Sequence, residues 1–146
     1  LDTRGIGYHL NQSLIAIGKG GLLGVGFGQG EQKLGFLPEP VGDSIFAVIG
    51  EELGFAGMIF TVFLLLMFVV ISLNIARKAS NKFASLYAVG LASWVGIQSF
   101  VNIASLSGMI PLTGIPLPFI SYGGTSLAIL MTGAGILANI SRRHET

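Results

Sequence analysis

The sequence predicts an all-α, polytopic integral membrane protein, and three observations lead to that fold class. The composition is apolar, with 51% hydrophobic and only 10% charged residues and a mean hydropathy of +0.76, whereas a soluble domain carries roughly 25% charged residues. Residues 55–76 form a charge-free run of about 22 residues, long enough for a helix to cross the hydrocarbon layer. Residues 53–144 contain no Asp or Glu, as expected where acids would otherwise enter lipid.

A glycine-rich segment lies in the first third of the chain. From Leu14 to Gly30, apolar residues and glycines alternate so densely that neither a stable helix nor a strand is expected. The spacing matches neither the dinucleotide-binding nor the P-loop pattern. Gly20, Gly24 and Gly28 are four residues apart, so a helical stretch would let one face approach a neighbouring backbone closely. We expect this segment in the outer membrane interface, its glycines admitting either a ligand or a packed neighbour.

An acidic segment follows, directly before the first span. Its carboxylates are Glu31, Glu39, Asp43, Glu51 and Glu52. Pro38 and Pro40 favour an extended chain, after which Asp43 is placed to cap a helix beginning near Ser44. On spacing alone, this capping role is sufficient to explain an aspartate at position 43. The apolar residues that follow predict a helix at the membrane interface, with Glu51 and Glu52 near the membrane edge.

Three transmembrane helices are predicted, at 55–76, 83–106 and 119–140, with a loop at 107–118. The basic residues between or after them are Arg77, Lys78, Lys82, Arg142 and Arg143. Both basic clusters lie on one side of the membrane, which the positive-inside rule makes cytoplasmic. Residues 77–82 and the C-terminus are therefore predicted inside, and residues 1–52 and the loop outside.

The second span carries a polar stripe. Trp94, Gln98, Asn102 and Ser105 recur at helical spacing on one face. Amides are costly in lipid, so this face is expected to meet protein or a water-filled cavity. Two interpretations stay open: contacts between helices, or a cavity lining in which Gln98 and Asn102 touch a substrate.

The segment from Met109 to Ser126, which runs from the loop into the start of the third span, is irregular, because it contains three prolines and the Gly123–Gly124 pair. Irregular backbone at membrane depth needs protein or water around it. We expect a re-entrant turn packed under the Asp43 segment, with Ser121 and Tyr122 bridging the two. A rigid plug without ligand contact is the alternative.

Several functions are disfavoured by composition. The chain has no cysteine, so it offers no disulfide and no thiolate nucleophile. A formal net charge of +1 gives no reason to expect nucleic acid. His9 and His144 stand alone and are predicted on opposite sides, so neither is a metal candidate. The first residue is Leu1, which favours a piece of a longer protein.

Two stretches resemble a known family, the SEDS proteins of bacterial cell-wall synthesis. They are SLIAIGKGGLLGVGFGQGEQKLGFLPEPVGDSIFAVIGEELGFAG and NIASLSGMIPLTGIPLPFISYGGTSL. The form PEPVGDSIFAVIGEELG and the tail ISRR are more similar to the division branch of the family than to its elongation branch. SEDS proteins have about ten transmembrane helices, so the resemblance implies the last three of them and the large outer loop that precedes them.

The resemblance implies a peptidoglycan glycosyltransferase of the bacterial cytoplasmic membrane. Its substrate would be lipid II, the undecaprenyl-diphosphate disaccharide-pentapeptide, and its partners a class B penicillin-binding protein and other division proteins. Asp43 matches the family's essential carboxylate. The other matched positions are Gln32 and Lys33, Glu51 and Glu52, and the Ser-Tyr-Gly-Gly turn that begins with Ser121 and Tyr122. The fragment alone is expected to be inactive.

Glycan extension with inversion needs a base on the acceptor hydroxyl and no covalent intermediate. Asp43 is the candidate base; alternatively its carboxylate holds a divalent cation, Mg²⁺ or Mn²⁺, on the diphosphate. Lys33 is either a diphosphate contact or a solvated surface lysine. Three other functions stay open: a lipid II flippase, a scaffold for division proteins, and an elongation-type polymerase.

Overall fold

The computed structural model of the protein describes residues 6–27, 45–111 and 113–143. These ranges contain four helices, α1 (Ile6–Gly20), α2 (Ile45–Lys78), α3 (Lys82–Leu106) and α4 (Gly124–Arg142). Helices α2, α3 and α4 are each long and apolar enough to cross a membrane. No strand occurs in the described ranges, so the predicted all-α, polytopic fold class is confirmed.

Helix α2 is interrupted once. Gly54 has φ 68° and ψ −163°, a conformation that is essentially restricted to glycine. The nine residues before the break, 45–53, form a short helical arm, most of whose side chains are buried. The residues after it, 55–78, form the apolar span that the sequence predicts from Phe55. The break therefore separates a protein-packed arm from a membrane-spanning rod.

Helices α2 and α3 form the main helix pair, joined by a short connection. Asn81 caps α3, since its side-chain oxygen accepts a hydrogen bond from the backbone N–H of Phe83 at 3.0 Å. Near this end, Ala76, Ala88, Leu91 and Leu137 form one buried cluster. The small alanines let the helices approach closely, which is the usual basis of helix association in membranes.

Helix α4 begins at Gly124, five residues after the predicted start at Phe119. Residues 118–120 form a turn, because Pro116 and Pro118 restrict the preceding backbone and remove donors that a helix would need. Hydropathy alone extends the span into this turn, since its side chains are apolar too. The connection between α3 and α4 is therefore the whole of residues 107–123, here called the proline loop.

Tyr87 ties α3 to α4. Its hydroxyl donates to the carbonyl oxygen of Gly133 at 3.2 Å. We expect Tyr87→Phe to lower the free energy of unfolding of the full-length protein by about 0.5–1.5 kcal/mol, the net contribution of one such bond. Denaturant unfolding in detergent measures it, with Tyr122→Phe as control because Tyr122 is 81% exposed. Equal free energies of unfolding for the two variants would show that this bond does not stabilise the fold.

A second cluster gathers five parts of the chain at the other end of the pair. Its buried members are Phe46, Met58, Leu65, Leu106 and Leu117, with Ile17, Ile45, Ile103 and Phe119 packed against them. Helix α1, the arm of α2, the start of its apolar span, the end of α3 and the proline loop thus share one core. The arm begins two residues after Asp43 and shares this core with the proline loop. Asp43 itself lies outside the described residues, so the packing of the loop under the Asp43 segment stays a prediction.

Helix α1 corrects one expectation. The segment from Leu14 was predicted to be irregular, yet α1 continues to Gly20. Packing outweighs the weak helix propensity of its glycines, because Ser13 and Ala16 are fully buried and tertiary contact supplies most helix stability. The backbone becomes irregular only from Gly21 onward, in residues 21–27, here called the glycine loop.

Candidate functional site

The nine residues predicted to act in the site fall into two sets. Gln32, Lys33 and Asp43 lie outside the described residues, so their roles stay predictions. The six described residues lie around the second cluster: two on the arm of α2, two on α3 and two in the proline loop. These are Glu51, Glu52, Gln98, Asn102, Ser121 and Tyr122.

The arm of α2 buries two adjacent carboxylates. Glu51 is 1% exposed and Glu52 is 6% exposed. Within the described ranges, Oε2 of Glu51 is buried and receives no hydrogen bond. Burial of a carboxylate is costly unless it is paired, so acids that a fold nevertheless buries are often kept for function. The pair is therefore the strongest candidate site in the described part of the chain.

The glycine loop repairs the break next to this pair. In an unbroken helix, Phe55 N–H would donate to the Glu51 carbonyl and Ala56 N–H to the Glu52 carbonyl. Instead Val25 N–H donates to Glu51 O at 2.9 Å and Gly26 N–H to Glu52 O at 3.2 Å.

The two N–H groups left by the break also find partners in the glycine loop. Phe55 N–H donates to Gly21 O at 2.8 Å and Ala56 N–H to Leu22 O at 3.4 Å. Backbone groups that lack a partner in a low-dielectric setting are expensive. The four bonds together let α2 break beside two carboxylates without leaving those backbone groups unpaired.

Three glycines make this contact possible. A Cβ on Gly20 would collide with the Gly50 carbonyl, and one on Gly24 with the Glu52 carbonyl. A Cβ on Gly54 would collide with the Gly24 nitrogen and lie 2.8 Å from the Leu22 carbonyl carbon and oxygen. Spacing singled out Gly20 and Gly24, but not Gly54. The available signal was the single glycine that separates the acidic pair from the apolar span.

The polar stripe of α3 holds the proline loop. Asn102 Nδ2 donates to the Ile115 carbonyl at 2.6 Å, and Gln98 Nε2 donates to the Pro116 carbonyl at 2.9 Å. Of the two open interpretations, these bonds support a packing role for the amide nitrogens. In the described part of the chain, Gln98 Oε1 is buried without a hydrogen bond, and substrate contact by the stripe stays a prediction.

The turn of the proline loop is internally braced. Ser121 Oγ accepts from Leu117 N–H at 2.7 Å, and Ser121 N–H donates to the Leu117 carbonyl at 3.1 Å. Phe119 has φ 64°, a strained conformation for a bulky residue. Its ring packs edge-on against that of Phe68, with the two ring centroids 5.1 Å apart. Tyr122 is 81% exposed, so no bridge from Tyr122 to the arm is formed by the described residues.

Asn102 anchors the loop most directly, and its removal should loosen the turn. We expect Asn102→Leu, which leaves the Ile115 carbonyl without this donor, to speed hydrogen exchange of the Leu117 and Ser121 amides about tenfold. Ser107→Ala is the matched control, because its exposed hydroxyl donates back to the Ile103 carbonyl of α3 at 2.7 Å, away from the turn at Leu117 and Ser121. Unchanged exchange in Asn102→Leu would mean that the loop holds its turn without the stripe.

The chemistry available at the described site is that of buried carboxylates and backbone carbonyls. Among the described residues, no group of three or more His, Cys, Asp or Glu side chains lies close enough to hold a metal ion. Glu51 and Glu52 supply the oxygen donors that Mg²⁺ and Mn²⁺ prefer. Any cation site would therefore need further ligands, such as Asp43 or a substrate diphosphate.

Comparison with known proteins gives consistent matches. The sequence profile of the FtsW/RodA/SpoVE family, described as "Cell cycle protein", matches residues 1–146. A Bacillus subtilis protein named probable peptidoglycan glycosyltransferase FtsW is 51% identical over 135 residues, which are 92% of this chain and 34% of that protein. The stage V sporulation protein E of the same organism is 48% identical over 97% of this chain and 38% of its own length.

The chain thus spans little more than a third of the length of these relatives. A solved structure, titled "Structural coordination of polymerization and crosslinking by a peptidoglycan synthase complex", superposes with a TM-score of 0.73 at 24% identity. The match includes 92% of this chain and 37% of that one, and it shows the fold alone. On the profile match and these identities, the chain belongs to the FtsW/RodA/SpoVE family of cell cycle proteins, the SEDS family that its motifs resemble.

Proposed function

We propose that the full-length protein is a peptidoglycan glycosyltransferase that polymerises lipid II into glycan strands during septal wall synthesis. One observation carries the proposal: a buried carboxylate pair stands at a repaired helix break, eight residues after Asp43, in a family with relatives named for this activity. A polymerase has use for acids at the membrane edge, where a lipid-linked sugar presents its reacting atoms.

The reaction joins the acceptor hydroxyl to the anomeric carbon of the donor while the lipid diphosphate leaves. An α-linked donor that enters a β-linked chain inverts at that carbon, so one displacement with one base is sufficient. Asp43 is proposed as that base, taking the proton from the acceptor hydroxyl. Its place just before the arm of α2 puts it in sequence next to the buried pair.

The leaving diphosphate needs positive charge or hydrogen-bond donors. Lys33 is proposed to contact it, with Gln32 donating from its amide. Glu51 and Glu52 are proposed to bind substrate through polar groups of the sugar or peptide. A divalent cation on the diphosphate is the alternative use of Asp43, in which case Asp43 and the glutamates are the proposed oxygen ligands.

Orientation is part of the proposal, since lipid II polymerisation is placed on the outer face. The positive-inside rule puts Ser107 outside and Ser80 inside, and both side chains are exposed. We expect a membrane-impermeant maleimide added to intact cells to label Ser107→Cys and to spare Ser80→Cys in a cysteine-free background. Labelling of both after permeabilisation is the control, and the reverse pattern in intact cells would contradict the orientation.

The functional class is tested by reconstituting the purified full-length protein in vesicles that contain lipid II, with a class B penicillin-binding protein as the proposed partner. We expect glycan strands on a gel, and no transfer of labelled lipid II between leaflets beyond that of empty vesicles. Transfer without glycan would overturn the proposal in favour of a flippase. Neither activity, together with recruitment of the partner, would favour a scaffold.

A further inference from the structure

We infer that the glycine loop is a backbone splint for α2, and that Gly24 and Gly54 are positioning residues that act on the lipid-linked substrate through Glu51 and Glu52. The inference rests on the proposed function for the identity of the substrate. Its structural basis is the exchange of hydrogen bonds across the break, in which the loop takes over both partners that α2 loses.

The exchange is specific to the two acidic residues. The carbonyls that the loop captures are those of Glu51 and Glu52, at 2.9 and 3.2 Å. Each carboxylate is attached to a residue whose own backbone is bonded to the loop. The direction of both side chains is therefore set by Val25 and Gly26, each 26 positions earlier in the chain, as well as by the helix that carries them.

The hydrogen bonds between the glycine loop and α2 depend on two glycines, each in a conformation that other residues rarely adopt. Gly24 has φ +78° and Gly54 has φ +68°, and a Cβ on either would strike the opposing backbone. A side chain at either position must push the loop away from the arm. Because Phe46, Ala47 and Val48 of the arm are themselves buried, packing holds the arm in place. The displacement therefore falls on the carboxylate pair and the bonds beside it.

Nearby glycines provide a graded series of variants. A Cβ on Gly18 meets nothing within 4 Å, and no left-handed φ is recorded there, so Gly18→Ala tests helix composition alone. Gly21 has φ +53° but also open space around a Cβ, so Gly21→Ala adds backbone strain without a collision. Gly24→Ala adds both strain and collision with the Glu52 carbonyl.

The test measures the dissociation constant Kd and the number of binding sites for lipid II on the full-length protein in nanodiscs. We expect Gly24→Ala to raise Kd at least about tenfold, since small displacements of binding groups are costly, and Gly21→Ala to raise it about threefold. Gly18→Ala should bind as the wild type does. A purely structural loss would lower the number of sites and leave Kd unchanged, and that result would overturn the inference.

A double-mutant cycle separates positioning from general damage. In a protein that already carries Glu51→Gln and Glu52→Gln, Gly24→Ala should raise Kd no more than about twofold, because the groups it displaces have lost their charge. An equal rise in both backgrounds would contradict action through the glutamates. If Gly24→Ala does not fold, Gly21→Ala carries the same cycle.

This test does not depend on polymerisation. A protein that makes no glycan but binds lipid II through the splinted pair would refute the proposed function and leave the inference standing. If the protein makes glycan but Gly24→Ala leaves its Kd for lipid II unchanged, the inference is overturned and the proposed function stands.

Discussion

Replacing Asp43 with Asn is expected to reduce glycan formation by the full-length protein at least about a hundredfold. Asparagine keeps the size of the side chain and can still cap a helix, but it neither accepts a proton as a base nor offers a carboxylate to a cation. General base catalysis contributes about 10²–10⁴ in rate, so the expected loss lies in that range. Initial rates from labelled lipid II, at matched amounts of protein, measure it.

The control for this change is Asp2→Asn, another acid predicted on the same side of the membrane but outside the matched motif. It should polymerise at the wild-type rate. If Asp43→Asn kept the wild-type rate as well, capping would be the whole role of Asp43, and the catalytic assignment would be wrong.

Neutralising Glu51 should lower activity without lowering stability. A carboxylate that is 1% exposed pays for its desolvation, and a carboxamide of the same shape avoids most of that cost. We expect Glu51→Gln to reduce glycan formation at least about tenfold while the thermal midpoint stays equal or rises. At functional sites, a substitution that lowers activity often leaves stability unchanged or raises it.

Glu145→Gln is the matched control, since that carboxylate lies in the tail predicted to face the cytoplasm. It should change neither activity nor stability. A fall of several degrees in the thermal midpoint of Glu51→Gln, parallel to its loss of activity, would show that the carboxylate supports the fold rather than the substrate.

The sequence predicts the membrane-spanning part of this fold well, because length and hydropathy are local properties. The run from Phe55 begins directly after the break in α2, and the second predicted span agrees with α3 to within a residue. The third is less accurate at its start. Phe119 and Ile120 are apolar, so hydropathy places them in the span, while their backbone turns before α4 begins.

The repair of α2 by the glycine loop lies beyond such reasoning. It depends on hydrogen bonds between the backbones of residues 21–26 and 51–56. Backbone groups are the same in nearly every residue, so the side chains do not reveal which of them pair. Spacing drew attention to Gly20 and Gly24 as sites of close approach, and both do approach backbone. Only the fold identifies the partner as the Gly50–Glu52 backbone, and only the fold explains why Gly54 must be glycine.

The site itself divides in the same way. The motif resemblance selected Glu51 and Glu52, and the structure buries both, which hydropathy would not suggest for two adjacent acids. The stripe on α3 was predicted from helical spacing, but spacing left its partner open. The bonds from Asn102 and Gln98 to carbonyls of the proline loop depend on a loop conformation that no periodicity encodes.

A lipid-linked sugar is proposed to bind where α2 breaks, beside the acidic pair. This proposal is tested most directly by cross-linking a photoreactive lipid II analogue to the full-length protein and identifying the modified peptides. We expect modification within residues 32–53 and within residues 115–122 of the proline loop, and we expect unmodified lipid II to compete with it. Competed modification confined to residues 77–82 and the C-terminal half of α4 would contradict this proposal.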